Sequence, residues 1–283
     1  MSYEKLKEHK EIWKKKEIIR KIYLDWYKLI MTHAKEGRIV ELGSGTGNLS
    51  ECYPGIISSD IIPCPWLDII FDATAMPFEE EGIDTLIMID LLHHLEDVDS
   101  FFMEVDRVLK NKGRLIMLEP YISPLSFFIY SYLHQEPMLL NVDVFAKRST
   151  DIQNHRNEPF DSNSAIPTIL FWREEKRFGE KYPRLRIVEK DLLSFLLYPL
   201  SGGFEHRSLV PVWGFSIVNF IEKLMRPLVK LIAFRTFVMI EKEDHELNQK
   251  HSGGSYSSGR LDENNRTGRE RTPIGKRKNE SES

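Results

Sequence analysis

Between Glu11 and Ala34 the apolar residues Ile12, Ile19, Ile22, Tyr23, Trp26 and Ile30 recur at helical spacing, with lysines between them. That pattern predicts one amphipathic helix with a single buried stripe. Gly37 ends it, and from Arg38 the period changes. Short β-favouring runs follow at Ile39–Leu42, Ile56–Asp60, Leu67–Phe71, Asp84–Asp90 and Gly113–Leu118. The run DTLIMID (Asp84–Asp90) is apolar throughout between two carboxylates, as expected of a strand buried on both faces. A further helix takes Phe101, Phe102, Val105, Val108 and Leu109 as its apolar face, with Asp97 or Asp99 as cap and Asn111-Lys112-Gly113 as stop. Arg186–Glu189 begins a sixth strand and Phe234–Glu241 reads as a seventh. Alternation of strand and helix predicts an α/β fold with a parallel, doubly wound sheet, helices on both faces, and its ligand at the strands' carboxyl ends.

Those ends are where the polar chemistry collects. Glu41, Asp60, Asp72, Asp90 and Glu119 all fall at or near them. After the first strand three glycines alternate: Gly43, Ser44, Gly45, Thr46, Gly47, Asn48. Glycines there let a strand turn sharply and let backbone approach a ligand. A dinucleotide fingerprint, G-x-G-x-x-G, would need glycine at Asn48. That disfavours a nicotinamide-dependent oxidoreductase.

The acidic-x-G-x-G-x-G pattern resembles motif I of the class I S-adenosylmethionine (SAM) methyltransferases. Asp72-Ala73 before Pro77-Phe78 is similar to the adenine-holding segment of that family. The passage DLLHHLEDVDSFFMEVDRVLKNKGRLIMLEP is similar to its "LHHL … RVLKPGGRLLI.EP" stretch, with Asn111-Lys112-Gly113 where Pro-Gly-Gly is usual. The resemblance spans about Arg38 to Glu241. It implies a Rossmann-like, seven-stranded, mostly parallel sheet, the seventh strand antiparallel, with an acceptor-binding insertion between strands five and six. It implies SAM as cofactor, held at Glu41, Gly43, Ser44, Gly45, Gly47, Asp60, Ile61, Asp72, Ala73 and Asp90. Asp60 would bind the ribose hydroxyls, or serve only as a turn residue. Asp72 and Ala73 would hold adenine, or Asp72 would cap a short helix.

Methyl transfer to a hydroxyl needs a base, and histidine is tuned for that near neutral pH. His93 and His94 follow the fourth strand. Adjacent residues at a helix start diverge by ~100°, so one of them faces the acceptor, and the resemblance favours His94. The alternative is that both cap or pack. Glu119 is a third candidate, able to bind the acceptor instead.

The domain reading is a helical cap at 1–36, a methyltransferase domain at 37–241 with its insertion at about 121–183, and a polar, disordered tail at 242–283. In the insertion, Tyr121, Phe127, Phe128, Tyr130 and Tyr132 are expected to line an apolar acceptor pocket, with the polar loop Asn154–Ser164 as its mobile edge. Trp213–Phe234 is amphipathic, for core packing or for contact with a membrane interface. Lys14-Lys15-Lys16 reads as a solvated helix face or a phosphate-attracting one.

A net charge of −4 argues against a protein dominated by nucleic-acid binding. Cys52 and Cys64, with no partner at ligand spacing, predict neither a disulfide framework nor a metal site. The charged start lacks a signal-like apolar region, and the uncharged runs Tyr121–Leu133 and Leu192–Phe204 are too short to span a bilayer. The expected setting is cytoplasmic, peripheral to a membrane if the Trp213–Phe234 stripe faces outward. The expected function is SAM-dependent O- or C-methylation of a small, hydrophobic, lipid- or glycan-like acceptor. The rival reading is a non-catalytic methyltransferase-like module that binds a partner.

Overall fold

A computed structural model describes residues 2–133, 137–145 and 162–244. The chain opens with two helices, α1 (Tyr3–Lys15) and α2 (Glu17–His33), where periodicity predicted one. They part at Lys16, whose backbone leaves the helical region. Lys16 Nζ donates to the carbonyls of Gly203 and His206, and Arg20 caps α1 by donating to the carbonyls of Trp13 and Lys14. Lys16 is therefore a cross-link to a distant turn, not part of a solvated face.

The sheet follows: β1 (Ile39–Leu42), α3 (Asn48–Cys52), β2 (Ile57–Asp60), β3 (Ile69–Ile70), β4 (Ile83–Ile89), α4 (Val98–Val108) and β5 (Leu109–Pro120). Beyond it come α5 (Pro124–Leu133), α6 (Ile166–Thr168), a π-helical turn at Ile169–Arg173, α7 (Glu175–Lys181), β6 (Leu185–Leu193), α8 (Leu197–Ser201), α9 (Phe215–Leu224), α10 (Val229–Ile232) and β7 (Arg235–Lys242). The strand order is β3-β2-β1-β4-β5-β7-β6. The first five strands pair parallel, and β7 runs antiparallel to both neighbours. β3 is shorter than expected because Asp68 turns its carboxylate onto the backbone N–H and hydroxyl of Ser58.

Two cores sandwich the sheet. Alternate residues of β4 divide between them. Leu86 and Met88 join Phe101, Phe102 and Val105 of α4 on one face; Ile87 joins Ile19, Ile22, Trp26 and Ile30 of α2 on the other. All three β4 residues are fully buried. Each such side chain contributes about 1.5–3 kcal/mol. The period-2 strands and period-3.6 helices thereby fix β1 and β4 side by side, with their carboxyl ends level: Leu42 pairs with Met88. Both free cysteines stand unbridged. Among the described residues no helix is long and apolar enough to cross a membrane.

Candidate active site

The turn after β1 holds Gly43, Gly45 and Gly47 at φ of +65°, +51° and +69°, the left-handed region that side chains disfavour. A Cβ on Gly43 would also lie 2.9 Å from the Leu91 side chain. β1's glycine turn thus meets the end of β4 two residues before His93.

The turn is stitched to the end of β2. Ser44 N donates to the Ser59 carbonyl at 2.7 Å, Ser59 N returns to Ser44 Oγ at 3.0 Å, and Ser59 Oγ donates to the Glu41 carbonyl at 2.7 Å. Asp60 accepts from Gly45 N at 2.9 Å and from Ile62 N at 3.0 Å. Ile61, between them, is exposed. Asp60 therefore shapes the glycine turn, with lone pairs on each oxygen still able to accept hydroxyls.

Glu41 is buried, with Oε2 lacking a hydrogen-bond partner among the described residues. Burial, with a smaller contribution from Asp60, pushes its carboxyl up to about 8. A buried carboxyl with one unpartnered oxygen beside a glycine cradle can accept hydrogen bonds from an ammonium, so these residues fit the amino-acid end of SAM.

The sequence reading overlooked what covers this turn. Leu6 of α1 lies over Gly45, 3.3 Å from where a Cβ would stand. Lys10 Nζ donates to the Thr46 carbonyl at 2.7 Å, and Trp66 Nε1 to the Gly45 carbonyl at 2.9 Å. Tyr3 stacks on Trp66. The early apolar position at Leu6 was the available signal.

Asp72 is exposed, and its Oδ1 accepts from Thr74 N and Thr74 Oγ1, each at 2.8 Å; Ala73 packs against the core. Asp90 sits at φ +57° and forms an ion pair with Arg235, a buried residue of β7. The Arg235 guanidinium lies 4.3 Å from the Tyr198 ring centroid and 5.4 Å from that of Trp26. Burial brings Arg235 down to about 10, which leaves it cationic at neutral pH. No motif flags it.

Glu119 is 0% exposed. Its Oε1 accepts from Leu91 N and Leu92 N, both at 2.8 Å, and its Oε2 bonds His93 Nδ1 at 2.7 Å. A carboxylate so enclosed does not reach an acceptor, which corrects that expectation: it orients the segment from Leu91 to His94. His93 is buried, whereas His94, with ring centroids 4.2 Å apart, is partly exposed. Asp90, His93 and Glu119 bring donor atoms within 4.8 Å of one another, a spacing compatible with a cation. The hydrogen bonds to Glu119 and the Arg235 pair already occupy those carboxylates.

The expected aromatic pocket is redistributed. Tyr121 packs edge-on against Trp172, and Tyr130 against Phe234. Phe128 and Tyr132 are exposed. Phe127 lines a groove of about 360 Å³ with Met138, Leu139, Leu140, Asn141 and Val142. Of the loop Asn154–Ser164, residues 154–161 lie outside the described residues. Ser162, Asn163 and Ser164 are buried: Asn163 N donates to the His93 carbonyl at 2.9 Å, and the Asn163 amide holds both Leu139 N and Leu139 O. Asn163 thereby braces the histidine segment, and these three buried residues are not a mobile edge.

Residues 40–117 match the family described as "Methyltransferase domain". No curated protein matches the chain. Among solved structures, the chain is similar to geranyl diphosphate C-methyltransferase of Streptomyces coelicolor, with 15% identity, TM-score 0.47, and 80% of each chain covered. It is also similar to the PH0226 protein of Pyrococcus horikoshii (14%, TM-score 0.43, 80% of this chain and 91% of that one). A third is the YcgJ protein of Bacillus subtilis (14%, TM-score 0.41, 77% and 97%). The family match contains the glycine turn and the carboxylates Glu41, Asp60, Asp72 and Asp90, and marks residues 40–117 as a methyltransferase domain.

Proposed function

We propose that this enzyme methylates an oxygen or carbon of a small, hydrophobic, lipid- or glycan-like acceptor, with His94 as the base. The observation that carries the reading is the buried Glu119–His93 hydrogen bond, which fixes the segment after β4 that carries the partly exposed His94. SAM, when bound, supplies a methyl on a sulfonium, already activated for transfer. The chain's own task is to align the acceptor, exclude water and take its proton; positioning alone can contribute roughly 7–11 kcal/mol.

Glu41, Gly43, Ser44, Gly45, Gly47, Asp60 and Ile61 would hold the amino-acid and ribose parts, and Asp72 with Ala73 the adenine. Asp90, fixed by Arg235, would border the site from β4. α1 closes the turn from above through Leu6 and Lys10. The groove beside Phe127 is walled by aliphatic side chains with Asn141 as its polar group, which suits an apolar acceptor with one hydrogen-bonding site.

The test has two arms. Calorimetric titration is expected to show SAM and its demethylated product binding to the full chain. Incubation with methyl-labelled SAM and lipid-soluble or aqueous extracts is expected to label a lipid-soluble species. Binding without labelling of any extract favours a partner-binding module; labelling confined to the aqueous extract rejects the apolar acceptor.

A further inference from the structure

The segment from Val212 to Ile232 does not pack as core. Among the described residues, α9 buries no side chain. At 100° per residue, its inward residues Phe215, Val218 and Glu222 lie on one side. The first two touch the α2 core, and Glu222 Oε1 accepts from Leu196 N and Leu197 N. Ile217, Phe220, Ile221 and Leu224 fall within an arc of about 100° on the opposite side, and they face outward. Phe220 is 68% and Leu224 72% exposed. The stripe continues through Leu228 and Leu231 and begins at Trp213, 78% exposed. This is an amphipathic helix turned inside out for a globular core.

Its charges select the occupant. Over Val212–Ile232 the charged residues are Glu222, Lys223, Arg226 and Lys230. Glu222 is turned inward, and Arg226 is neutralised by Asp191. Lys223 and Lys230 remain, exposed and in no ion pair among the described residues. On the α9 projection Lys223 flanks the apolar arc, and Lys230 lies on α10 next to the exposed Leu231. α5, which carries no charged residue, packs beside α10 and exposes Phe128 and Tyr132.

We propose that this face seats on an anionic lipid bilayer, with Phe220, Leu224, Leu228 and Leu231 in the acyl boundary and Lys223 and Lys230 at the headgroup phosphates. Helices with this division lie in the interface plane, and an indole such as Trp213 suits headgroup depth. A second copy of the chain would bring the same two unpaired cations against the interface without supplying an anion from these helices. The chain's net charge of −4 does not oppose the contact, because no acidic side chain of α5, α9 or α10 points outward. The inference stands apart from the identity of the acceptor.

The full chain is sedimented with vesicles of phosphatidylcholine alone and of phosphatidylcholine mixed with phosphatidylglycerol. Binding to the mixed vesicles is expected, roughly tenfold tighter than to the neutral ones and weakened by salt. Phe220→Ser with Leu224→Ser is expected to abolish it. Lys223→Glu with Lys230→Glu is expected to weaken it roughly tenfold or more on the mixed vesicles only. Unchanged circular dichroism and SAM titration show that the variants are folded. Absence of binding to either vesicle, or binding that neither variant reduces, overturns the proposal. So does self-association of the full chain that the Phe220/Leu224 variant abolishes while vesicles remain unbound, which assigns the face to a second copy.

Discussion

Glu119 Oε2 meets His93 Nδ1 at 2.7 Å in a site where neither side chain is more than 3% exposed. With Oε1 holding two backbone N–H groups, one carboxylate sets both the path of the chain after β4 and the angle of the imidazole. Replacing Glu119 by alanine leaves these donors buried and unpaired, which is expected to cost about 3–5 kcal/mol. Glu119→Gln retains an acceptor for the backbone and is expected to lose less, about 1–3 kcal/mol. Urea unfolding of the two variants checks the order; equal losses would show that the carboxylate's charge and hydrogen bonds are idle.

His94→Ala is expected to lower kcat by about 10²–10⁴-fold while SAM affinity holds, the range for removal of a general base. His93→Ala is expected to lower stability as well, since it strips a partner from Glu119. If His94→Ala retains full kcat across pH, transfer proceeds by positioning alone.

Glu41 makes stability depend on pH in the opposite sense to an ordinary salt-bridged carboxylate. Its folded value is raised to about 8 from an ordinary 4.5, so between those values the native state keeps a proton that the unfolded chain has released. The contribution is complete below about 4.5 and is lost as pH rises towards about 8. Thermal unfolding without cofactor is expected to show that decline, and Glu41→Gln to flatten it. SAM binding near neutral pH should release a proton, visible as a calorimetric heat that varies with the buffer's ionisation enthalpy.

Gly45→Val forces a β-branched residue into φ +51° and against Leu6. A cost of about 1–2 kcal/mol is expected from the left-handed backbone alone. SAM binding is expected to be lost while circular dichroism stays native. Retention of full SAM affinity would remove the turn from the cofactor site.

Arg235→Ala leaves Asp90 without its cation at the end of β4. Expected is a loss of about 1–3 kcal/mol, less than for a fully buried pair because the Asp90 side chain is 27% exposed and water can solvate it. Arg235→Ala with Asp90→Asn should recover part of it. A double-mutant cycle with no coupling would show that the pair contributes nothing.

The local pattern was enough to determine the sheet's central order of elements and the positions of its acidic strand ends. Strands buried on both faces read as uninterrupted apolar runs, as at Ile83–Ile89, and a glycine turn leaves its mark residue by residue at Gly43, Gly45 and Gly47. These features depend on near neighbours in the chain. What tertiary structure alone decided depends on distant ones. Arg235 reaches Asp90 across 145 residues, and Lys16 reaches Gly203 across 187. Adjacent histidines look alike in sequence, yet Glu119 draws His93 into the interior and leaves His94 partly exposed. The stripe at Trp213–Leu231 has the same period whether it faces a core or a solvent boundary, because periodicity records that one face is apolar and not which way it points. Only the docking of Phe215, Val218 and Glu222 against α2 and α8 turned that face outward.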